Sequence, residues 1–195
     1  MGAIQIIGLA ASLSLLAGWR LYATVAAVGI AMRVGLLELP QQVQSLEALA
    51  NPWVIGIAAL GAVAELFADK VAWLDSLWDG VHTAVRPVGG ALLSLAVVDA
   101  SDPVWQIAAF LLGGGAALVS HGAKTGARAV VNTSPEPFSN VAVSTAEDVL
   151  TFGGLWVALT QPALAGILAV AILLVAIVLI ALSWRVLKTV KALFR

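Results

Sequence analysis

At residues 64–75 the chain reads Ala64-Glu65-Leu66-Phe67-Ala68-Asp69-Lys70-Val71-Ala72-Trp73-Leu74-Asp75. This stretch carries two acids and a lysine within two helical turns, at the end of an apolar run long enough to cross a bilayer. Glu65 and Asp69 are four residues apart, so a helix places them on one face, with Lys70 beside them. Ionised groups at membrane depth are costly and normally face a protein interior, a partner or water. The stretch therefore predicts a buried polar site inside a membrane protein.

The composition of the whole chain agrees with this interpretation. Of its 195 residues, 61% are hydrophobic and only 11% are charged, whereas soluble domains carry about 25% charged residues. Several apolar runs of about 17 to 25 residues predict that all 195 residues form one domain that crosses the membrane repeatedly. The net charge of −1 argues against a nucleic-acid partner. Because the chain has no cysteine, disulfides, thiolate metal sites and a cysteine nucleophile are excluded.

Hydropathy and turn residues predict an all-α integral membrane protein with about six transmembrane helices, some of them short or broken. The first apolar segment, residues 4–34, is predicted as one long tilted helix or as two half-helices broken near Gly18. A polar connection follows at residues 35–50. Asn51 is then predicted to cap the second span, Pro52 to open it, and the span to reach about residue 74.

The later spans are predicted to differ in length. Pro87 is expected to end or kink the helix before it, which leaves a short third span at residues 88–98. After a fourth span at residues 104–128, the loop at residues 132–140 is predicted not to be helical. Ser144 and Glu147 fit a capping box that opens a short fifth span ending near residue 159. The last span, residues 163–184, is almost wholly aliphatic and is predicted to face lipid.

Charge and repetition predict the topology. Six crossings place both termini on one side, and the basic C-terminal tail predicts that this side is the cytoplasm. Residues 53–70 and 105–124 are weakly similar, and each segment precedes a polar break and a short glycine-containing span. This pattern predicts an internal repeat of two helix hairpins that run in the same direction. Paired, interrupted spans of this kind are typical of a transporter binding site.

Several short motifs together are similar to those of one family. They are Gly18-Trp19-Arg20-Leu21-Tyr22, Ala68-Asp69-Lys70 with Asp75, Lys124 with Arg128, Ser134-Pro135-Glu136-Pro137 with Asn140, and Glu147-Asp148. With them the chain resembles the bacterial membrane proteins grouped as domain of unknown function 4126. The resemblance covers most of the chain and implies an integral protein of the inner membrane with this buried polar pattern. It implies no activity, substrate or cofactor, so function has to be argued from the residues.

The candidate site is built from ionisable residues at a similar depth in the spans. Arg20 lies in the middle of an apolar segment, too far from its ends to snorkel, so it predicts an internal acidic partner or a bound anion. Arg86 and His121 also fall at this depth. The predicted substrate-binding residues are Arg20, Glu65, Asp69, Lys70, Lys124, Arg128, Glu147 and Asp148. Ion pairs that only lock the helices together are the alternative interpretation of this set.

The leading hypothesis is a membrane transporter or lipid-handling protein with a cytoplasm-facing polar cavity. Its basic residues would hold a small anion or an anionic lipid headgroup. Its acids would balance the charge, and one of them would take up a proton if burial favours the neutral form. The predicted partners are the lipid bilayer and this anion, with a second copy of the chain as an open alternative.

Two other functions stay open. Asp75, Asp79 and His82 have i, i+4, i+7 spacing and could supply ligands to a divalent metal in an enzyme that acts on a lipid phosphate. The same three residues also fit the solvated face of an interfacial helix. A non-catalytic assembly factor would instead bind a protein partner through the loop at residues 132–140. The sequence names no cofactor.

Overall fold

The computed structural model describes residues 2–35, 47–98, 103–133 and 138–193, and these ranges contain six α-helices and no strand. The helices are α1 Ala3–Arg33, α2 Pro52–Ala68, α3 Ala72–Val97, α4 Pro103–Val131, α5 Phe138–Thr160 and α6 Pro162–Leu193. All except α2 are long and apolar enough to cross a membrane, and α2 is a shorter apolar helix. The predicted all-α membrane fold with six helices is confirmed.

Helices α2 to α6 form an antiparallel bundle with one charged end. Ion pairs join Asp69, just after α2, to Lys124 near the end of α4, and Lys124 to Asp79 near the start of α3. A further pair joins Arg128 to Glu147 near the start of α5. We call this end of the bundle the charged end. Helices α2, α4 and α6 all begin at the opposite end.

The first helix is broken near its midpoint. Arg20 has a φ of −142° and a ψ of 78°, which are not helical, so α1 consists of two halves, residues 3–19 and 21–33. A straight helix of 31 residues would be about 46 Å long, because each residue adds about 1.5 Å. The two ends of such a helix would lie on opposite sides of the bundle.

Packing contacts place both ends of α1 on the same side instead. In the first half, Ser12 Oγ donates a hydrogen bond of 2.7 Å to the carbonyl oxygen of Ala165, near the start of α6. In the second half, Gly29 lies against the carbonyl group of Leu49, just before α2 begins. Because α2 and α6 begin at the end opposite the charged end, α1 is a re-entrant hairpin. Its tip, at Arg20, points toward the charged end.

Small residues let this hairpin enter the bundle. Near the tip, Gly18 lies directly against the backbone of Ala117 in α4. Gly90 in α3 also packs on Ala117, and its carbonyl oxygen accepts a hydrogen bond of 2.9 Å from Ser14 Oγ. Close approach of helix backbones through glycine, alanine and serine is the usual way in which helices associate within a membrane. The hairpin is therefore surrounded by protein rather than by lipid.

The hairpin corrects the predicted topology. Because α1 returns to the side on which it begins, the described N-terminal and C-terminal ends lie at opposite ends of the bundle. The prediction that six crossings place both termini on one side is therefore wrong. The expectation of a break near Gly18 comes close, since the non-helical residue is Arg20. The hairpins α2–α3 and α4–α5 run in the same direction, as the weak repeat predicts.

Several predicted boundaries also change. The second span ends at Ala68, six residues early, and α3 then runs without interruption through Pro87. The short third span is therefore wrong, and so is the short fifth span, because α5 begins at Phe138 and contains Ser144 in its interior. Residues 36–46, 99–102 and 134–137 lie outside the described residues. The N-cap is confirmed, since Asn51 Oδ1 accepts a hydrogen bond of 2.9 Å from the amide of Trp53.

Cysteine labelling tests the hairpin directly, because the chain has no cysteine of its own. Single substitutions Gly2→Cys and Thr189→Cys lie at exposed positions near the two ends of the chain. In sealed vesicles of one orientation, a membrane-impermeant maleimide should label only one of them, and the other only after permeabilisation. Glu47→Cys serves as a control that should behave like Gly2→Cys. Labelling of both termini from one side would contradict the re-entrant hairpin.

Candidate functional site

Ten charged side chains meet at the charged end of the bundle. Four are cations and six are carboxylates, and α1 through α5 all contribute, with Asp69 placed in the turn after α2. Nine of the ten residues are buried, whereas the Asp148 side chain is 22% exposed. The ion pairs connect Arg20, Glu65, Asp69, Asp75, Asp79, Arg86, Lys124, Arg128, Glu147 and Asp148.

Two arginines converge on the same carboxylate oxygens. Arg20 Nη1 lies 2.6 Å from Asp69 Oδ2, and Arg128 Nη2 lies 3.4 Å from that oxygen. Arg128 also donates to both carboxylate oxygens of Glu147, at 3.1 Å to Oε1 and 2.7 Å to Oε2. Arg20 Nη2 lies 3.8 Å from the same Oε2 atom. Paired hydrogen bonds of this kind are among the stronger contacts in proteins. We call Arg20, Arg128, Asp69 and Glu147 the arginine clamp.

A second group of ion pairs lies beside the clamp. Arg86 binds Glu65 at 2.5 Å and lies 3.3 Å from Asp79. Lys124 Nζ lies 3.0 Å from Asp69, 3.5 Å from Glu65 and 3.8 Å from Asp79. Lys124 therefore connects this group to the arginine clamp. Because the charges share partners, a change at one member is transmitted to several others.

The buried histidines are both engaged in hydrogen bonds. His121 Nδ1 lies 2.6 Å from Arg86 Nη1. Because an arginine can only donate, this ring nitrogen accepts and carries no proton. His82 Nδ1 lies 2.7 Å from the carbonyl oxygen of Trp78 and donates to it, so Nε2 accepts from the hydroxyl of Tyr22 at 3.0 Å. His82 also stacks on the Trp78 ring, with centroids 4.4 Å apart.

These bonds separate the three residues predicted as metal ligands. Asp75 turns toward Arg128, Asp79 turns toward Arg86 and Lys124, and His82 uses both ring nitrogens within the protein. In the part of the chain that the structure describes, no group of three or more His, Cys, Asp or Glu side chains is placed to hold a metal ion. The metal-dependent alternative therefore has no supporting geometry in these residues.

Residues 7–182 match the family described as "Domain of unknown function (DUF4126)". The chain belongs to this family. The matched range contains all ten charged residues of the site. No curated protein and no solved structure matches the chain.

Of the eight substrate-binding residues predicted in this DUF4126 protein, seven come together. The exception is Lys70, which is exposed and makes no ion pair with the described residues. The reason is local: α2 ends at Ala68, so Asp69 and Lys70 occupy a turn in which the aspartate faces inward. Glu147 is not part of a helix cap but binds Arg128 from the interior of α5. Arg86 and His121 also lie in the site.

Three uncharged polar residues of the DUF4126 protein were not predicted as part of the site. Asn140 Oδ1 accepts a hydrogen bond of 2.7 Å from Arg128, Ser144 Oγ accepts one of 3.3 Å from Arg20, and Asn132 Nδ2 donates one of 3.1 Å to Asp75. Asn140, Ser144 and Glu147 have i, i+4, i+7 spacing, which places them on one helix face. This signal is visible only if α5 is extended back to Phe138.

The cations of the DUF4126 protein keep the central carboxylate ionised. Asp69 lies in the turn between α2 and α3, outside both helices. Burial raises the pKa of Asp69, but Lys124, Arg20 and Arg128 together outweigh burial and hold the pKa below its usual range. With all ten groups ionised, the six carboxylates exceed the four cations by two charges. The site as a whole is therefore acidic, although two arginines lie at its centre.

Proposed function

We propose that this protein is a membrane transporter that binds a small anion, or an anionic lipid headgroup, at the arginine clamp. The observation that carries this proposal is the convergence of Arg20 and Arg128 on the same oxygens of Asp69 and Glu147. Two guanidinium groups that face one point form a suitable receptor for a carboxylate or phosphate. The carboxylates of Asp69 and Glu147 occupy that point in the structure, and we call this arrangement the closed conformation.

The broken helix supports a transport function. Arg20 is the non-helical residue at the tip of the hairpin, so a small movement of either half of α1 displaces its guanidinium group. At the tip, the backbone carbonyl oxygen of Gly18 accepts a hydrogen bond of 3.3 Å from Arg86. Discontinuous helices that place polar groups near the middle of the membrane are typical of secondary transporters.

The charge balance supports coupling to protons. An anion that displaced Asp69 or Glu147 from the arginines would leave a buried carboxylate without its cation. Uptake of a proton by that carboxylate removes the cost, because a neutral carboxyl group needs no counter-charge. We therefore propose that substrate and proton bind together.

Charge distribution supports an orientation with the charged end at the cytoplasm of a bacterial inner membrane. Lys70 and the basic residues near the end of α6, including Arg185 and Lys188, belong to that end of the bundle, whereas Arg33 belongs to the other. An excess of basic residues marks the cytoplasmic side. In this orientation the C-terminus is cytoplasmic and the N-terminus lies on the opposite side of the membrane.

Transport by purified protein in sealed liposomes tests the proposal. The probes are radiolabelled inorganic phosphate, radiolabelled succinate and a fluorescent phosphatidylglycerol. Arg20→Lys keeps the charge but loses the paired geometry, so we expect transport of the accepted probe to fall about tenfold or more. Lys70→Gln, at the exposed lysine beside the site, should leave transport unchanged. Equal transport by the wild type and a folded Arg20→Lys variant would reject the clamp, and failure of the wild type to move any probe would reject these substrate classes.

A further inference from the structure

Asp75 is a buried carboxylate with little compensation for its charge. The residue is 0% exposed and lies in the first turn of α3. Its Oδ2 atom accepts a hydrogen bond of 3.1 Å from Asn132 Nδ2, whereas its Oδ1 atom has no hydrogen-bond partner. Among the described residues, one cation lies within 4.0 Å of Asp75, namely Arg128, whose Nε is 4.0 Å from Oδ1.

The other carboxylates of the site are better compensated. Each has a cation at 3.3 Å or less, and Arg128 donates two hydrogen bonds to Glu147 but none to Asp75. The shortest cation distances are 2.5 Å for Glu65, 2.6 Å for Asp69, 2.7 Å for Glu147, 2.8 Å for Asp148 and 3.3 Å for Asp79. Asp75 is therefore the carboxylate for which the excess negative charge of the site matters most.

The groups around Asp75 do not remove this excess. Two further acidic side chains face Asp75, namely Asp69 from the turn after α2 and Asp79 from its own helix. From α4 and the residues after it, Asp75 meets Arg128 and the uncharged amide of Asn132. The start of a helix favours an anion, but this contribution is small beside the cost of a buried carboxylate whose nearest cation is distant.

Asn132 offers a partner for a protonated carboxyl group. Its Oδ1 atom is buried and has no hydrogen-bond partner, as is true of Asp75 Oδ1. A carboxylate cannot satisfy an amide oxygen, because both are acceptors. A protonated Asp75 can donate from Oδ1 to that oxygen while its Oδ2 accepts from Asn132 Nδ2. One added proton would thus satisfy both orphaned atoms.

We infer that Asp75 is a proton-binding site and that its proton controls the arginine clamp. Control of the clamp by this proton rests on the proposed transport function. In the closed conformation Asp75 binds a proton from water at the charged end and pairs with Asn132. When this proton passes to Glu147, the Asp75 carboxylate attracts Arg128 in its place. Arg128 then turns away from Glu147, and the clamp can exchange its internal carboxylate for a substrate.

Infrared difference spectroscopy on the detergent-purified full-length protein tests proton binding without a transport assay. The wild type should show the carbonyl band of a protonated carboxyl group, and this band should disappear as the pH is raised. The band should be absent in Asp75→Asn and unchanged in Glu47→Gln, which removes an exposed carboxyl group outside the bundle. In Asn132→Leu the band should shift, because its amide partner is lost, and this variant serves if Asp75→Asn fails to fold. An identical band in Asp75→Asn and wild type would overturn the inference.

Transport measurements then separate the two proposals. If both hold, wild-type transport falls about tenfold per pH unit on the alkaline side, as a single proton requires, and Asp75→Asn, whose amide can neither supply the proton nor attract Arg128, transports little at any pH. If the wild type moves no probe but the band behaves as expected, the proton site stands and the transport function fails. If transport depends on sodium rather than pH and no band is found, Asp75 is not a proton site and the inference fails.

Discussion

The substitution Arg128→Met is expected to lower the free energy of unfolding by about 3–5 kcal/mol, the cost of removing one partner from a buried ion pair. Arg128 donates to both carboxylate oxygens of Glu147, to Asn140 Oδ1 and to the carbonyl oxygen of Asp69. Methionine fills a similar volume but leaves all of these acceptors without their donor. Denaturant unfolding in detergent, followed by circular dichroism, measures the change.

Two further variants identify the cause of this loss. Lys70→Met removes an exposed lysine that follows Asp69 in the sequence, and it should leave the unfolding midpoint unchanged. The double variant Arg128→Met with Glu147→Gln removes the orphaned charge as well, so it should regain part of the stability that the single variant loses. A single variant as stable as the wild type would show that Arg128 is not held by these ion pairs.

The substitution Gly18→Ala is expected to lower the free energy of unfolding by about 3 kcal/mol, at the upper end of the usual range for overpacking. A Cβ atom at position 18 would collide with the carbonyl oxygen of Ala117 and would lie 2.7 Å from Ser120 Cβ. The carbonyl oxygen belongs to the backbone of α4, so it cannot rotate away as a side chain could. The tip of the hairpin would have to withdraw, and Arg20 would withdraw with it.

Gly122→Ala is the matched control for this prediction. Gly122 also lies inside a helix, but a Cβ atom there would meet nothing within 4 Å. Alanine should therefore stabilise α4 by about 0.5–1 kcal/mol, because it restricts the unfolded chain more than glycine does. The same unfolding measurement applies to both variants. If Gly18→Ala were as stable as Gly122→Ala, the hairpin could not be packed on Ala117 as described.

Charged residues made most of the site predictable from the sequence. An ionised side chain in an apolar span must be paired, so Arg20, Asp69 and Lys124 were expected to meet although 104 positions separate the first from the last. The prediction that Lys70 belongs to the site failed because helix periodicity assumes that the helix continues, whereas α2 ends two residues before Lys70. Burial of the neighbouring aspartate decided the direction of the turn, and sequence spacing does not report burial.

The hairpin could not be predicted, because distant contacts decide its direction. Residues 4–34 are apolar throughout and fit a straight or a broken helix equally well. The choice between a straight and a broken helix depends on two contacts: the hydrogen bond from Ser12 to Ala165 and the close packing of Gly18 on Ala117. Both partners are far from α1 in the sequence. Pro87 and Ser144 misled the prediction for a different reason. Each has a strong preference for helix ends, but tertiary packing overrode that preference and kept both inside long helices.

The re-entrant hairpin has a consequence for biogenesis. The ribosome delivers this hairpin well before α6, the helix that holds the beginning of the hairpin through Ala165. Until Asp148 in α5 has emerged, Arg20 lacks one of its carboxylate partners, and an arginine in hydrocarbon without a counter-charge is costly. The hairpin therefore waits at the bilayer surface, or inside the insertion machinery, until α5 and α6 have been synthesised.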